Sequence, residues 1–140
     1  MSRLGRRLAF DYGDVRIGVA VCDIDAILSS PLEPLKSKHP ALMDQIKALI
    51  KEYEPVRIYV GQPLNLSGEP STSSAKASAF AAELRSNVDC DIVMIDERLT
   101  TVSASALLSQ AGINAKDQKK LIDSVAAVAI LERGLAREGR

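Results

Sequence analysis

The chain has 140 residues, 46% hydrophobic and 26% charged, with two cysteines and no tryptophan. That length carries one domain with a full core and is short for two. Eighteen basic residues balance eighteen acidic ones, which excludes the strongly basic bulk composition that announces a nucleic-acid partner. No stretch is apolar for long enough to span a bilayer, and Asp11 interrupts any signal core after the basic start Met1–Arg7. Cys22 and Cys90 are too few for a disulfide framework and lack metal-ligand spacing. A soluble, reduced, cytoplasmic protein is expected.

Leu8 to Asp11 predicts a first strand, with Gly13 supplying positive φ in the turn that follows. Ile17, Val19 and Val21 alternate with Gly18, Ala20 and Cys22, a second strand whose small face leaves room for a close helix or a ligand. Ala26 to Leu35 predicts a third strand, pushed to the sheet edge by Pro31 and Pro34. Leu42, Ile46, Leu49, Ile50 and Tyr53 mark an amphipathic helix that Pro55 stops. Val56 to Val60 is a buried strand, followed by the loop 61–70. An alanine-rich helix comes next, with Ser71 to Ser74 as candidate N-caps. Asp91 to Ile95 predicts the last strand. Thr100 or Thr101 can cap a helix running to Gln110 and closed by Gly112, and the final helix runs from about Asp117 towards Arg137. Helix–strand alternation in the second half implies parallel crossovers. The expected architecture is α/β: a mixed five-stranded sheet, antiparallel meander first and parallel crossovers second, flanked by helices.

Three acids stand where such a fold can gather them. Asp11 ends the first strand, Glu97 follows Ile92-Val93-Met94-Ile95, and Asp123 heads the apolar run of the last helix. In open α/β sheets ligands collect beyond the carboxyl ends of parallel strands. Clustered carboxylates repel one another, so such a site is tolerable chiefly with a hard divalent cation. Each acid also has an ordinary explanation: a hairpin-turn aspartate, a solvated Asp96-Glu97-Arg98 triplet, and a first-turn acid favoured by the helix dipole. Arg3, Arg6, Arg7 and Arg16 lie near Asp11 in sequence, and Lys116, Lys119 and Lys120 near Asp123. Basic residues beside carboxylates suit a polyanionic substrate, or are simply solvated side chains.

Four motifs in order resemble the YqgF family: Phe10-Asp11-Tyr12-Gly13-Asp14 with Arg16-Ile17-Gly18-Val19-Ala20; Gly61-Gln62-Pro63-Leu64-Asn65; Asp96-Glu97-Arg98-Leu99-Thr100-Thr101; and Asp123-Ser124 with Ala126-Ala127. That family is provisionally described as pre-16S rRNA nucleases and is similar to RuvC Holliday-junction resolvases. The resemblance, from Leu8 to about Glu132, implies one RNase H-like nuclease domain over residues 1–140. It also implies a bacterial cytoplasmic location and a role in maturing the 5′ end of small-subunit rRNA. Carried over by motif, Asp11, Glu97 and Asp123 are the catalytic and metal-binding acids. RuvC-type resolvases have an acid after the strand that here ends at Gly61, where this chain has Gln62-Pro63. They have another on the final helix, where this chain has Ala126. The site is one carboxylate poorer.

The expected chemistry is phosphodiester hydrolysis assisted by Mg²⁺ or Mn²⁺. Arg98, Lys119 and Lys120, with Arg16 as a weaker candidate, are expected to contact substrate phosphates. Partners implied are pre-rRNA or branched DNA and ribosomal particles, without a membrane. His39 is the only histidine, so a Ser-His-Asp system is not expected. Two rival readings remain. The Asp11-x-Gly hairpin resembles that of actin-like ATPases, which need two lobes around a nucleotide. The chain could also be a non-catalytic assembly factor.

Overall fold

A computed structural model describes residues 5–63, 72–96 and 124–139. Five strands form one sheet: β1 (Arg7–Tyr12), β2 (Arg16–Cys22), β3 (Ser29–Lys36), β4 (Arg57–Gln62) and β5 (Asp91–Asp96). Their order is β3-β2-β1-β4-β5. β2 runs antiparallel to β1 and β3, while β4 lies parallel to both β1 and β5. The expected mixed sheet, meander then crossovers, is therefore the observed one, with proline-bearing β3 at an edge. Helices α1 (Leu42–Tyr53) and α2 (Thr72–Asn87) bury one face, and α3 (Val125–Arg137) packs on the other.

The period of two decides which residues meet which helix. Leu8, Phe10, Ile17, Val19, Val21, Ile58 and Val60 form a core with Ile46 of α1 and Phe80 and Leu84 of α2. Their neighbours Ala9, Ala20, Cys22 and Tyr59 face Ala127, Ile130, Leu131 and Leu135 of α3. Small strand residues let α3 lie close to the sheet. Tyr59 is the large exception, and Gly134 of α3 accommodates it: a Cβ there would stand 2.6 Å from the tyrosine ring.

Several expected boundaries move for identifiable reasons. β3 starts at Ser29 rather than Ala26 because Asp23 closes a turn first. Its carboxylate accepts from the N–H groups of Ile27 (2.8 Å) and Leu28 (3.3 Å), and Ala26 takes φ 58°. β4 is displaced towards the C-terminus, to Arg57–Gln62. Gly13 does not adopt positive φ; it is needed because a Cβ would lie 2.6 Å from the Arg16 carbonyl oxygen. Ser74 is inside α2 and buried, and its Oγ accepts from Gln62 Nε2 at 3.3 Å. α1 closes at Glu54, in the left-handed region, whose N–H reaches the Ile50 carbonyl at 2.8 Å before Pro55.

The far end of β1 is held by charge. Arg7 is 1% exposed; its guanidinium donates to the Gly5 carbonyl (2.7 Å) and to Glu138 (3.3 Å) just after α3. Arg57 of β4 also pairs with Glu138, and with Asp91 at 2.7 Å. Arg6 and Arg7 thus lie at the opposite end of β1 from Asp11, about 13 Å away at ~3.3 Å per strand residue, and Arg7 serves packing. Cys22 is buried at the end of β2 and Cys90 half-buried just before β5, both free thiols, each pushed above its ordinary pKa by burial. Among the described residues no helix is long and apolar enough to cross a membrane.

Candidate active site

Asp11 occupies the carboxyl end of β1, half-buried, on the face that α3 covers. Gly18 is its cross-strand partner on β2. On the other side the β1–β4 register ends at Phe10–Val60, so the next residue along β4 is Gly61. Residues paired across strands share a face, so Asp11 stands between two positions without side chains. This places the Asp11 carboxylate at the rim of parallel strands, where ligands gather in such sheets.

Ser124 brings the head of α3 to this rim. The strands β2 and β3 change register between Ile17 and Val19, so Glu33 and Pro34 bulge opposite Gly18. The buried Val19 N–H donates to Ser124 Oγ (3.1 Å), and Ser124 Oγ–H donates to the Leu32 carbonyl (2.5 Å). One hydroxyl bridges the two strands at the edge of the bulge. Ser124 is 0% exposed and precedes α3 as its N-cap, but its hydroxyl makes no capping bond because the sheet has taken it. The last helix is described from Val125, and the start expected at about Asp117 lies outside the described residues. Ala127 is buried against the sheet as expected, whereas Ala126 is exposed.

Replacing Ser124 with alanine leaves a buried N–H unsatisfied, a cost of about 2 kcal/mol. It also frees the head of α3. Ser124→Ala is expected to lower the unfolding midpoint and to slow catalysis more than it weakens substrate binding, read by parallel melting, cleavage and binding assays.

Of the residues expected at the site, the structure describes Asp11 and Arg16. Glu97, Asp123, Arg98, Lys119 and Lys120 lie outside the described residues, as does the helix expected after Thr100. In sequence, Glu97 directly follows β5 and Asp123 directly precedes Ser124. Arg16 opens β2 at the same end as Asp11 and is exposed. Gln62, standing where RuvC-type resolvases have an acid, ends β4 and contacts α2 through Ser74, on the other face. Among the described residues no group of three His, Cys, Asp or Glu could hold a metal. The donor set that the three acids would make is all oxygen, which fits a hard cation.

The β1–β2 turn beside Asp11 is braced. Lys76 of α2 meets Asp14 at 2.8 Å, and that hydrogen bond and charge hold the Asp14 carboxyl below its ordinary value and raise Lys76. A lowered carboxyl pKa stabilises the fold above its unfolded value, and the contribution is lost as pH falls through the folded one. Lys76 has the opposite sense, losing its share as pH rises through its raised value. The bridge is fully exposed, so its role is orientation more than stability. Sequence reading missed Lys76 and the bulge-bridging role of Ser124, because each depends on a partner more than 60 positions away.

Residues 5–137 match the family described as RuvX, Holliday junction resolvase. A Streptomyces avermitilis protein is 44% identical over 138 residues, covering 97% of this chain and 88% of its own length. One from Streptomyces coelicolor is 42% identical over 138 residues, covering 97% and 83%. A Mycolicibacterium smegmatis protein is 43% identical over 133 residues, covering 91% and 78%. All three bear the provisional name pre-16S rRNA nuclease. Among solved structures, T. thermophilus RuvC in complex with Holliday junction substrate aligns over 96% of both chains with a TM-score of 0.62 and 15% identity. That likeness shows the RNase H-like fold. From the match over 5–137 and the relatives above 40% identity, the chain belongs to the RuvX family, the YqgF family that its motifs resemble.

Proposed function

We propose that this chain is a single RNase H-like nuclease domain that hydrolyses phosphodiester bonds with a divalent cation, in maturing the 5′ end of pre-16S rRNA. One observation carries the reading: Asp11 stands between Gly18 and Gly61, at the sheet rim to which Ser124 ties the head of α3. Family membership and the relatives' shared name support the substrate class. Asp11, Glu97 and Asp123 are assigned as the acids. Arg98, Lys119, Lys120 and Arg16 are assigned to substrate phosphates, in a cytoplasmic protein that meets its RNA on ribosomal particles.

Bound among these acids, Mg²⁺ or Mn²⁺ supplies charge stabilisation for the scissile phosphate and a more acidic water. Asp11 contributes a fixed carboxylate on a rigid strand, so its orientation is set before substrate arrives. The missing side chains of Gly18 and Gly61 let a phosphodiester approach the sheet closely. Ser124 holds the head of α3 against the same rim.

The test uses purified protein with Mn²⁺, an RNA spanning the precursor 5′ junction, and a four-way DNA junction. Cleavage of the RNA at a defined position, stopped by chelation, is the expected result. Preferential cutting of the DNA junction favours the second reading, a branched-DNA resolvase, which the family description supports. Binding to precursor RNA without cleavage of either substrate would make it a non-catalytic assembly factor. Mn²⁺ at 100 times its dissociation constant should stabilise the parent by ~2.7 kcal/mol through mass action. A melt of Asp11→Asn should show much less of that gain; an equal gain would put the cation elsewhere.

A further inference from the structure

A cleft of about 380 Å³ opens beside the rim, on the face of the sheet that α1 and α2 cover. Tyr12 follows Asp11 on β1, so their side chains leave the strand on opposite faces within one residue of each other. The Tyr12 ring lies against Phe80 of α2, with centroids 5.0 Å apart and planes 34° apart, and Phe80 meets Phe10 edge-on at 5.8 Å. Phe80 is buried, whereas Tyr12 is half-buried and lines the cleft with Met43 of α1 and Ala79 of α2. An aromatic wall therefore stands one residue from the assigned catalytic carboxylate.

The walls are tied together before any ligand arrives. Ser37 Oγ donates to the Gly13 carbonyl at 2.5 Å and the Ser37 N–H to the Val15 carbonyl at 3.0 Å, which holds the turn 37–40 to the β1–β2 hairpin. The Lys76–Asp14 bridge holds α2 to the same hairpin. Charge around the cleft is offset. Lys76, and to a smaller extent Lys38, answers the Asp14 carboxylate, and Glu83 lines the same space. Such a balance suits a neutral, flat ligand better than a phosphate. The cleft also offers both hydrogen-bond senses. His39 Nδ1 accepts from the Ala41 N–H at 3.0 Å, so the neutral imidazole carries its proton on Nε2 as a donor, and the Glu83 carboxylate is an acceptor. The volume lies near the lower end of the roughly 300–1,000 Å³ range of ligand clefts, which fits a single small group.

We propose that this cleft is a base pocket: it takes one unpaired nucleobase of the RNA, stacked on Tyr12, next to the phosphate that meets Asp11. The pocket rests on the nuclease reading and adds to it a need for single-stranded substrate at the cut. A base leaves a duplex only at the cost of unstacking and unpairing, whereas single-stranded RNA is held by splayed bases on aromatic rings. Stacking accepts any base, because each has a π-face. His39 and Glu83 meet its hydrogen-bonding edge.

The test scans a labelled single-stranded RNA spanning the precursor junction, replacing one nucleotide at a time by an abasic one. Binding is read in chelator, so that nothing is cut, for the parent, Tyr12→Phe, Tyr12→Leu and Ala79→Leu. Ala79 is exposed, so a leucine there fills the cleft without entering the core. The parent should lose about tenfold in affinity at one abasic position, the loss of one stacked base. On intact RNA, Tyr12→Leu and Ala79→Leu should bind about tenfold more weakly than the parent, and Tyr12→Phe, which keeps the ring, should match it. On RNA abasic at that position all four should bind alike, a result that misfolding or a lost general contact does not give. Loss spread evenly over positions, or variants weakened by the same factor on abasic as on intact RNA, overturns the pocket. Competition by a free mononucleotide that binds as tightly as the RNA would make the cleft a site for a separate small ligand, and also overturns it. Cleavage of intact RNA in Mn²⁺ is read in parallel. A parent that never cuts but shows the abasic pattern loses the nuclease reading and keeps the pocket; one that cuts without the pattern does the reverse.

Discussion

Asp11→Asn is expected to reduce cleavage by three orders of magnitude or more, about 4 kcal/mol of transition-state stabilisation, while the protein stays folded. The substitution keeps the shape of a side chain that lies between two glycines, so little packing is lost. It removes the one assigned carboxylate that β1 fixes rigidly at the rim. Single-turnover cleavage with saturating Mn²⁺, beside a circular-dichroism melt, separates chemistry from folding. Cutting at the parent's rate would return Asp11 to the role of an ordinary hairpin aspartate.

The largest effect on stability is expected at the other end of the same strand. Glu138→Ala removes a carboxylate that pairs with the almost fully buried Arg7, while Arg57 keeps Asp91. Breaking a buried pair by removing one partner costs about 3 kcal/mol, which lowers the melting midpoint by about 10 °C in a chain of this size. High salt should change this little, because buried pairs are weakly screened. Adding Arg7→Met to Glu138→Ala should recover part of the loss, since no buried charge then remains. A double variant less stable than Glu138→Ala would show that Arg7 acts through the packing of its stem and its bond to Gly5.

Strand alternation made most of the sheet legible. Leu8–Phe10 and Ile17–Val21 each have one bulky and one small face, and short turns between strands leave few topologies. What could not be read were one local turn and the contacts set by tertiary register. The Asp23 turn shortens β3 through side-chain bonds to Ile27 and Leu28, a local effect that the apolar run Ala26-Ile27-Leu28 concealed. Arg7 appears in sequence as one more cation near Asp11; only a strand that separates them shows it belongs to the opposite end. Asp11 was legible because a strand followed by a turn and a glycine fixes where it must lie. The pairing of Arg16 with Lys36 was not, because the bulge at Glu33 and Pro34 shifts the alignment by one residue.

The two ends of β1 divide the demands on this molecule. At one end, Asp11 lies between two glycines that add no side-chain packing. At the other, a buried guanidinium closes the last helix onto the sheet. The ends are separated by more than the roughly 10 Å within which substitutions couple, so their effects should combine independently. Changes at residues 7, 57, 91 and 138 can therefore retune the melting temperature of this protein without touching Asp11. Conversely, substitutions around Asp11 can be tested one at a time against a fold whose reserve is kept elsewhere.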